Sequence, residues 1–357
     1  MRINGTWNGT EGEFNHAYYG GCLPQQENVD LAETFILPSM IAVGAIGNVF
    51  TLILFCRGKQ KRLSVSVYMS AYCIGNLSNL FFIYGMHLIT VAGGLPELSN
   101  LSSWGCSLSM FATQIIQYCS VWFVVGMTID RYIAACHPSS AVSMCTVFMA
   151  KVAIGIILIG LVVVSVHAMW IYDLDKCGVC RLNNDVENLN MKEENHLHLQ
   201  IWILQSAIAY AYLPLLILLV LNILLIFGLC FQHSSSSTSA QDNVSTEYTN
   251  TVVAISVTHF TLLLPSTIVN IVFVSGAEVT LSHQTGLTFD YMQRINLINT
   301  FLICVIFSRS FRQEIRNLCR QLRERKKHTV EMNRLSNKSL IPHDGGNTTA
   351  NEEDTLI

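Results

Sequence analysis

The sequence predicts an all-α membrane protein, a seven-transmembrane helix bundle followed by an amphipathic eighth helix, and three observations predict it. Hydrophobic residues make up 51% of the chain against 13% charged, and the mean hydropathy is +0.41, a balance suited to a bilayer rather than to water. Seven stretches with few or no charges reach the roughly 20 residues that a helix needs to cross a hydrocarbon core about 30 Å thick. Basic residues gather in the segments after the first and the last of these stretches, and this gives the crossings a direction.

In chain order, residues 1–33 read as an extracellular, glycosylated tail. They contain sequons at Asn4 and Asn8, and they lack the basic head and apolar run of a cleavable signal peptide. The bundle occupies residues 34–307, with crossings at 34–56, 65–91, 106–128, 152–171, 199–230, 249–275 and 287–307. Only the seventh carries charges in its span, Asp290 and Arg294. Arg57, Lys59, Lys61 and Arg62 follow the first crossing, and Arg309, Arg312, Arg316 and Arg320 follow the seventh, so both segments are cytoplasmic by the positive-inside rule. An odd number of crossings then leaves the N-terminus outside, on the same face as a third sequon, Asn100.

Residues 308–325 set Phe311, Ile315, Leu318, Cys319 and Leu322 at helical spacing among Arg312, Arg316, Arg320 and Arg323. Such a pattern fits a helix lying on inner-leaflet lipid, with Cys319 available for palmitoylation. The Ser-rich loop 232–248 and the polar tail 326–357 read as disordered.

The chain has 12 Cys. Cys56, Cys73, Cys119, Cys136, Cys145, Cys230 and Cys304 lie in or beside apolar runs and read as free, buried thiols. Cys22, Cys106, Cys177 and Cys180 lie on the oxidising face, where four cysteines allow three pairings. Cys177 and Cys180 with His196 and His198 also match a zinc-ligand set, a reading disfavoured outside the cell, where disulfides prevail. No metal, cofactor or nucleic-acid partner is expected.

At the inner end of the third crossing stands Asp130-Arg131-Tyr132. An Arg at that depth needs a carboxylate partner, and Asp130 is adjacent. From Cys106 to Arg131 a helix advances about 37 Å, one membrane thickness, so the Cys lies outside and the Arg inside. Other marks occur in fixed order: Gly47-Asn48-Val49, Trp104, Pro214, Pro265, and Phe307-Ser308-Arg309-Ser310-Phe311-Arg312. Together these resemble the rhodopsin-like (class A) G-protein-coupled receptors.

The resemblance implies a non-enzymatic, multi-pass plasma-membrane receptor. Its Asp130, Arg131 and Tyr132 would switch and engage a heterotrimeric G protein, with arrestin as a further partner. It also implies a disulfide from Cys106 to Cys180 or Cys177, with Cys22 as another participant.

Departures from the family pattern are several. Thr300-Phe301-Leu302-Ile303-Cys304 stands where the family has Asn-Pro-x-x-Tyr, Leu263 lacks the neighbouring Trp, helix four lacks a central Trp, and Asn222 replaces a Tyr. Asn76 replaces the Asp of a buried sodium site, leaving Asn48, Ser120 and Asn296 without a charge. Weak sodium sensitivity follows.

By the same resemblance the ligand pocket is lined by His87, Thr113, Gln114, Gln117, Gln205, Tyr210, Asn270, Asp290 and Arg294. Thr113 replaces the Asp of amine receptors, and Arg294 replaces the Schiff-base Lys of opsins, so neither an amine nor retinal is expected. Asp290 and Arg294, spaced i,i+4, either pair with each other or hold a charged ligand group. Acidic outer segments would steer a basic ligand inward, and Gln-rich walls point to a neuropeptide. Thr355 and Ile357 resemble the end of a PDZ-domain ligand. Two competing readings remain: a constitutively active or non-signalling relative, and a seven-helix transporter or hydrolase. The latter requires clustered intramembrane ionisable groups, whereas His87, His167, His259 and Asp290 stand on separate helices.

Overall fold

A computed structural model describes residues 31–57, 60–175, 177–182, 201–202, 204–234, 240–274 and 283–339. All seven expected crossings are helical there. α1 (Leu31–Phe55) is followed by α2 (Ser64–Ser78), which widens into a π-helical segment (Asn79–Gly85) and resumes as α3 (Met86–Gly93). Gly94, with φ of 58°, closes α3 in the left-handed conformation that glycine tolerates. α4 (Ser103–Cys136) starts at Ser102, whose hydroxyl accepts from the Gly105 amide at 3.0 Å. A short α5 (Pro138–Met144) leads to α6 (Val147–Ser165), α7 (Ala168–Ile171) and an antiparallel hairpin, β1 (Tyr172–Leu174) with β2 (Cys180–Leu182). The register sets Asp173 opposite Arg181 and Leu174 opposite Cys180.

A second π segment (Ile208–Tyr212) precedes α8 (Leu213–Ser234). Pro214 explains it: proline gives no N–H to the Tyr210 carbonyl and crowds it, and the backbone widens so that the Leu213 amide reaches Ile208. α9 (Ala240–Val274) passes through Pro265 without ending. The last crossing is α10 (His283–Ile298) and α11 (Thr300–Phe307), separated at Asn299. Five helices among the described residues are long and apolar enough to cross a membrane, while the α2–α3 and α10–α11 crossings are interrupted.

α4 runs through the centre of the bundle, packing against α2, α6, α8 and α9. Its Phe123, Val124 and Met127 are buried with Tyr68, Met69 and Tyr72 of α2. α6 shows the opposite pattern, with Phe148 70% and Ile159 68% exposed. A face of large uncovered apolar side chains marks a surface made for lipid or a protein partner rather than for water.

Two expected boundaries differ. α12 (Arg309–Ser339) continues past residue 325 into the segment read as a disordered tail. That stretch contains no Pro or Gly, and Glu, Lys, Arg and Leu all favour helix. α9 begins at Ala240, inside the loop read as disordered. The glycosylation sites Asn4 and Asn8, Cys22, and the PDZ-like Thr355 and Ile357 lie outside the described residues.

Candidate functional site

Along α4, Met110, Thr113, Gln114, Gln117 and Tyr118 recur at helical spacing and line one side of an open cavity of about 350 Å³. That size suits a ligand pocket, which commonly spans roughly 300–1,000 Å³. Opposite them stand Trp202, Ser206 and Tyr210, with Tyr172 of β1 above. Tyr118 and Tyr210 stack at 5.5 Å. Below them the π segment has a direct consequence: its shifted hydrogen bonding frees the Ala209 carbonyl, which accepts from Trp122 Nε1 at 2.9 Å and ties the cavity floor to α4. Gln114 Oε1 is buried without a partner among the described residues, an acceptor suited to a ligand donor.

The hairpin is fastened over the cavity mouth. Cys106 and Cys180 form a disulfide with Cα atoms 5.3 Å apart, which resolves the alternative between Cys180 and Cys177. Cys177 is itself disulfide-bonded. Both sulfurs are thereby withdrawn from the zinc-ligand set, and His196 and His198 lie outside the described residues. Ser107 Oγ donates to the Tyr172 carbonyl at 2.9 Å. The Ser103 hydroxyl, with the Leu174 amide, donates to Asp173 and holds its carboxyl below the usual carboxylate range. Asn100, expected as a glycan acceptor, is half-buried, and its Oδ1 accepts from the Cys180 amide at 2.8 Å.

Of the nine residues expected in the pocket, Thr113, Gln114, Gln117 and Tyr210 line it. Gln205 instead donates to the Val164 carbonyl at 3.1 Å, bracing α6. His87 faces Glu97 at 3.5 Å on the outer loop. Arg294 is buried deeper, its guanidinium 4.9 Å from the ring of Tyr84 and 5.0 Å from that of Tyr291, a cation–π arrangement. The side chains of Asn270 and Asp290 lie outside the described residues. Sequence reasoning missed Trp202, Ser206 and Tyr118, and with them Met110 and Tyr172. Tyr118 was legible from the period of α4, and Trp202 was not, because its place comes from stacking on His167 at 5.0 Å.

Beneath the cavity Gln117, Tyr210, His259, Gln293, Asn296 and Leu263 help to enclose a small space of about 30 Å³. One turn further inward Asn76 donates to Asn48 at 3.3 Å and to Thr300 at 3.4 Å, and accepts from Ser120 at 3.1 Å. Thr300, an off-pattern residue, thus joins α11 to α2.

At the inner end of α4, Arg131 and Asp130 are both buried. Arg131 donates to Asp130 Oδ2 through Nε at 3.0 Å and Nη2 at 2.5 Å. Ser64, the first residue of α2, donates to the same oxygen at 3.0 Å and accepts from Arg131 at 3.2 Å. A buried guanidinium is tolerable only when paired and hydrogen-bonded in this way. The Cys145 thiol donates to the Asp130 carbonyl at 3.4 Å, and burial pushes its pKa up to about 11. Tyr132 turns aside, its ring 5.4 Å from that of His137.

The family described as 7 transmembrane receptor (rhodopsin family) matches residues 47–309. The thyrotropin-releasing hormone receptor of Gallus gallus is 28% identical over 226 residues, 60% of this chain and 53% of its own length. The galanin-like G-protein coupled receptor npr-9 of Caenorhabditis elegans is 24% identical over 171 residues, 46% of this chain and 39% of its own. Human neuromedin-U receptor 1 is 27% identical over 125 residues, 34% of this chain and 28% of its own. The chain spans about half or less of these relatives' length. The family match covers most of the bundle, and with the helices, the Cys106–Cys180 bridge and the Asp130–Arg131 pair in place, the chain belongs to the rhodopsin family of seven-transmembrane receptors.

Proposed function

We propose that this receptor takes an extracellular neuropeptide in the cavity between α4, the hairpin and the Trp202, Ser206 and Tyr210 wall ahead of α8, and passes the signal to a heterotrimeric G protein through Arg131. The observation that carries the reading is the division of labour along α4: its outer half lines a cavity walled by Gln, Thr, Tyr and Trp, and its inner end holds a buried Arg–Asp pair. Neutral amides beside aromatic rings suit peptide backbone and side chains. The names of the matched relatives, a hormone receptor, a galanin-like receptor and a neuromedin-U receptor, support the same class.

Binding would act by differential affinity, favouring an inner-open state in which Arg131 leaves Asp130 for the partner protein. The receptor sits in the plasma membrane with its N-terminus outside, glycosylated at Asn4 and Asn8. Its α12 lies on inner-leaflet lipid, anchored through the exposed Cys319. Arrestin and a PDZ-domain protein, the latter at Thr355 and Ile357, are further partners.

The test is a neuropeptide library applied to cells expressing the receptor, with cAMP, calcium and arrestin readouts and Arg131→Ala as control. The reading predicts a peptide whose G-protein signal disappears in Arg131→Ala at unchanged surface expression. A basal signal abolished by Arg131→Ala, with no responding peptide, would favour constitutive activity instead.

A further inference from the structure

Arg131 makes its side-chain hydrogen bonds to Asp130 and Ser64, on α4 and α2. The inner end of α9 is held differently. Glu247 reaches the elbow between α11 and α12, where its Oε1 accepts from the Ser308 hydroxyl at 2.7 Å and the Ser310 amide at 2.6 Å, and its Oε2 accepts from the Ser310 hydroxyl at 3.3 Å. Ser308 is the first link of the elbow: fully buried, it accepts from the Phe311 amide at 3.1 Å and so begins α12. A carboxylate placed on the first amides of a helix is stabilised by its unpaired N–H groups and its dipole. Arg312, the nearby cation, donates to the Val305 and Ile306 carbonyls at 2.7 Å.

The adjacent residue seals the joint. Tyr248 is buried against Phe55 of α1, with ring centres 6.5 Å apart, and Phe55 packs in turn on Phe311 at 5.8 Å. Phe311 meets Phe301 of α11 at 5.9 Å. Charge-assisted bonds and an aromatic cluster therefore fix the same end of α9 to the same elbow.

We propose that Glu247 is a closing latch: it holds the inner end of α9 on the α11–α12 elbow, and α9 moves outward only when its carboxylate is released from Ser308 and Ser310. Arg131 and Glu247 are then two separate restraints on two helices. The signalling consequence rests on the receptor reading above; the latch itself does not.

The experiment measures the separation of spin labels at the exposed positions 250 on α9 and 313 on α12, in full-length receptor in lipid nanodiscs, with exposed Cys56 and Cys319 replaced by Ser. Glu247→Ala, which removes the acceptor of all three bonds, is expected to raise the population of a longer-distance state at least roughly tenfold, the order set by even one lost hydrogen bond to a charged group. Glu247→Gln, which keeps an acceptor, should fall between. Ser308→Ala with Ser310→Ala, which leaves Glu247 intact and removes both hydroxyl donors while keeping the Ser310 amide, provides a second route if Glu247→Ala folds poorly, and should lengthen the distance to a smaller extent. Distances unchanged in both the Glu247→Ala and the serine variants overturn the latch. Longer distances with raised basal G-protein signal support it, and longer distances without any signal support it too while counting against the coupling reading.

Discussion

At its outer end the bundle is open and fastened chiefly by uncharged contacts, to which the Asp173 carboxylate adds its bond with Ser103 at the hairpin. A disulfide, a Trp–carbonyl bond and stacked rings surround a cavity of about 350 Å³. At its inner end it is closed by carboxylates, Asp130 on Arg131 and Glu247 on the elbow serines. The difference teaches where each end's free energy resides. The outer contacts are rigid and need not break for a ligand to enter, so they preserve a shape. The inner contacts are strong only while every partner is in place, because an unpaired buried charge is costly, so they can exchange one partner for another.

The largest way to break that comparison is Cys106→Ser. Losing a native bridge commonly costs about 2–5 kcal/mol, and the hairpin would no longer be fixed over the cavity. Surface-expressed receptor, read by antibody, should fall severely, and Cys180→Ser should reproduce the loss without adding to it in the double variant.

Next comes Asp130→Asn, which leaves Arg131 buried without its counter-charge. Breaking such a pair typically costs about 3–5 kcal/mol. Thermal stability in detergent should drop while basal G-protein signalling rises, and a stability loss without a signalling change would mean that the pair is only structural.

Gln117→Leu sharpens the outer half. It removes one donor and acceptor from the cavity wall, an effect of about 1–3 kcal/mol, so an active peptide should lose roughly ten- to hundredfold in affinity with basal signal unchanged.

The smallest effect is a pH effect on the hairpin. Asp173 is held below its ordinary pKa by Ser103 and Leu174, so its contribution is present above the unfolded value and is lost as pH falls through the folded one. Hydrogen exchange in β1 should quicken only below about pH 4, and Asp173→Asn should abolish that dependence.

Much of this fold was legible in the sequence because membrane crossing constrains composition so tightly. Length and composition set the helices, charge gave them an expected direction, and the resemblance to the rhodopsin-like receptors named Thr113, Gln114 and Gln117, which the structure brings to one cavity. Spacing put Cys106 and Arg131 at opposite ends of one crossing, and the resemblance gave them their roles. The rest depends on contacts between distant segments. Pro214 announced a distortion, but only the structure gives the π segment and the Ala209 carbonyl it frees for Trp122. Ser64 carries no motif, yet it completes the Arg131 clamp. Gln205 and His87 looked like pocket residues by position and turned to Val164 and Glu97, partners on other segments that a helical period does not reveal. Glu247 was invisible because its partners lie 61 and 63 residues away.

The most direct test of the central claim, that one helix links a peptide cavity to an inner switch, uses receptor reconstituted with purified heterotrimeric G protein and an active peptide from the library. Nucleotide exchange and peptide binding are measured together in wild type, Gln117→Leu and Arg131→Ala. The account predicts that the peptide accelerates exchange in wild type, that Gln117→Leu shifts the dose–response, and that Arg131→Ala binds the peptide but no longer accelerates exchange. Acceleration that survives in Arg131→Ala, or peptide binding indifferent to Gln117, would contradict it.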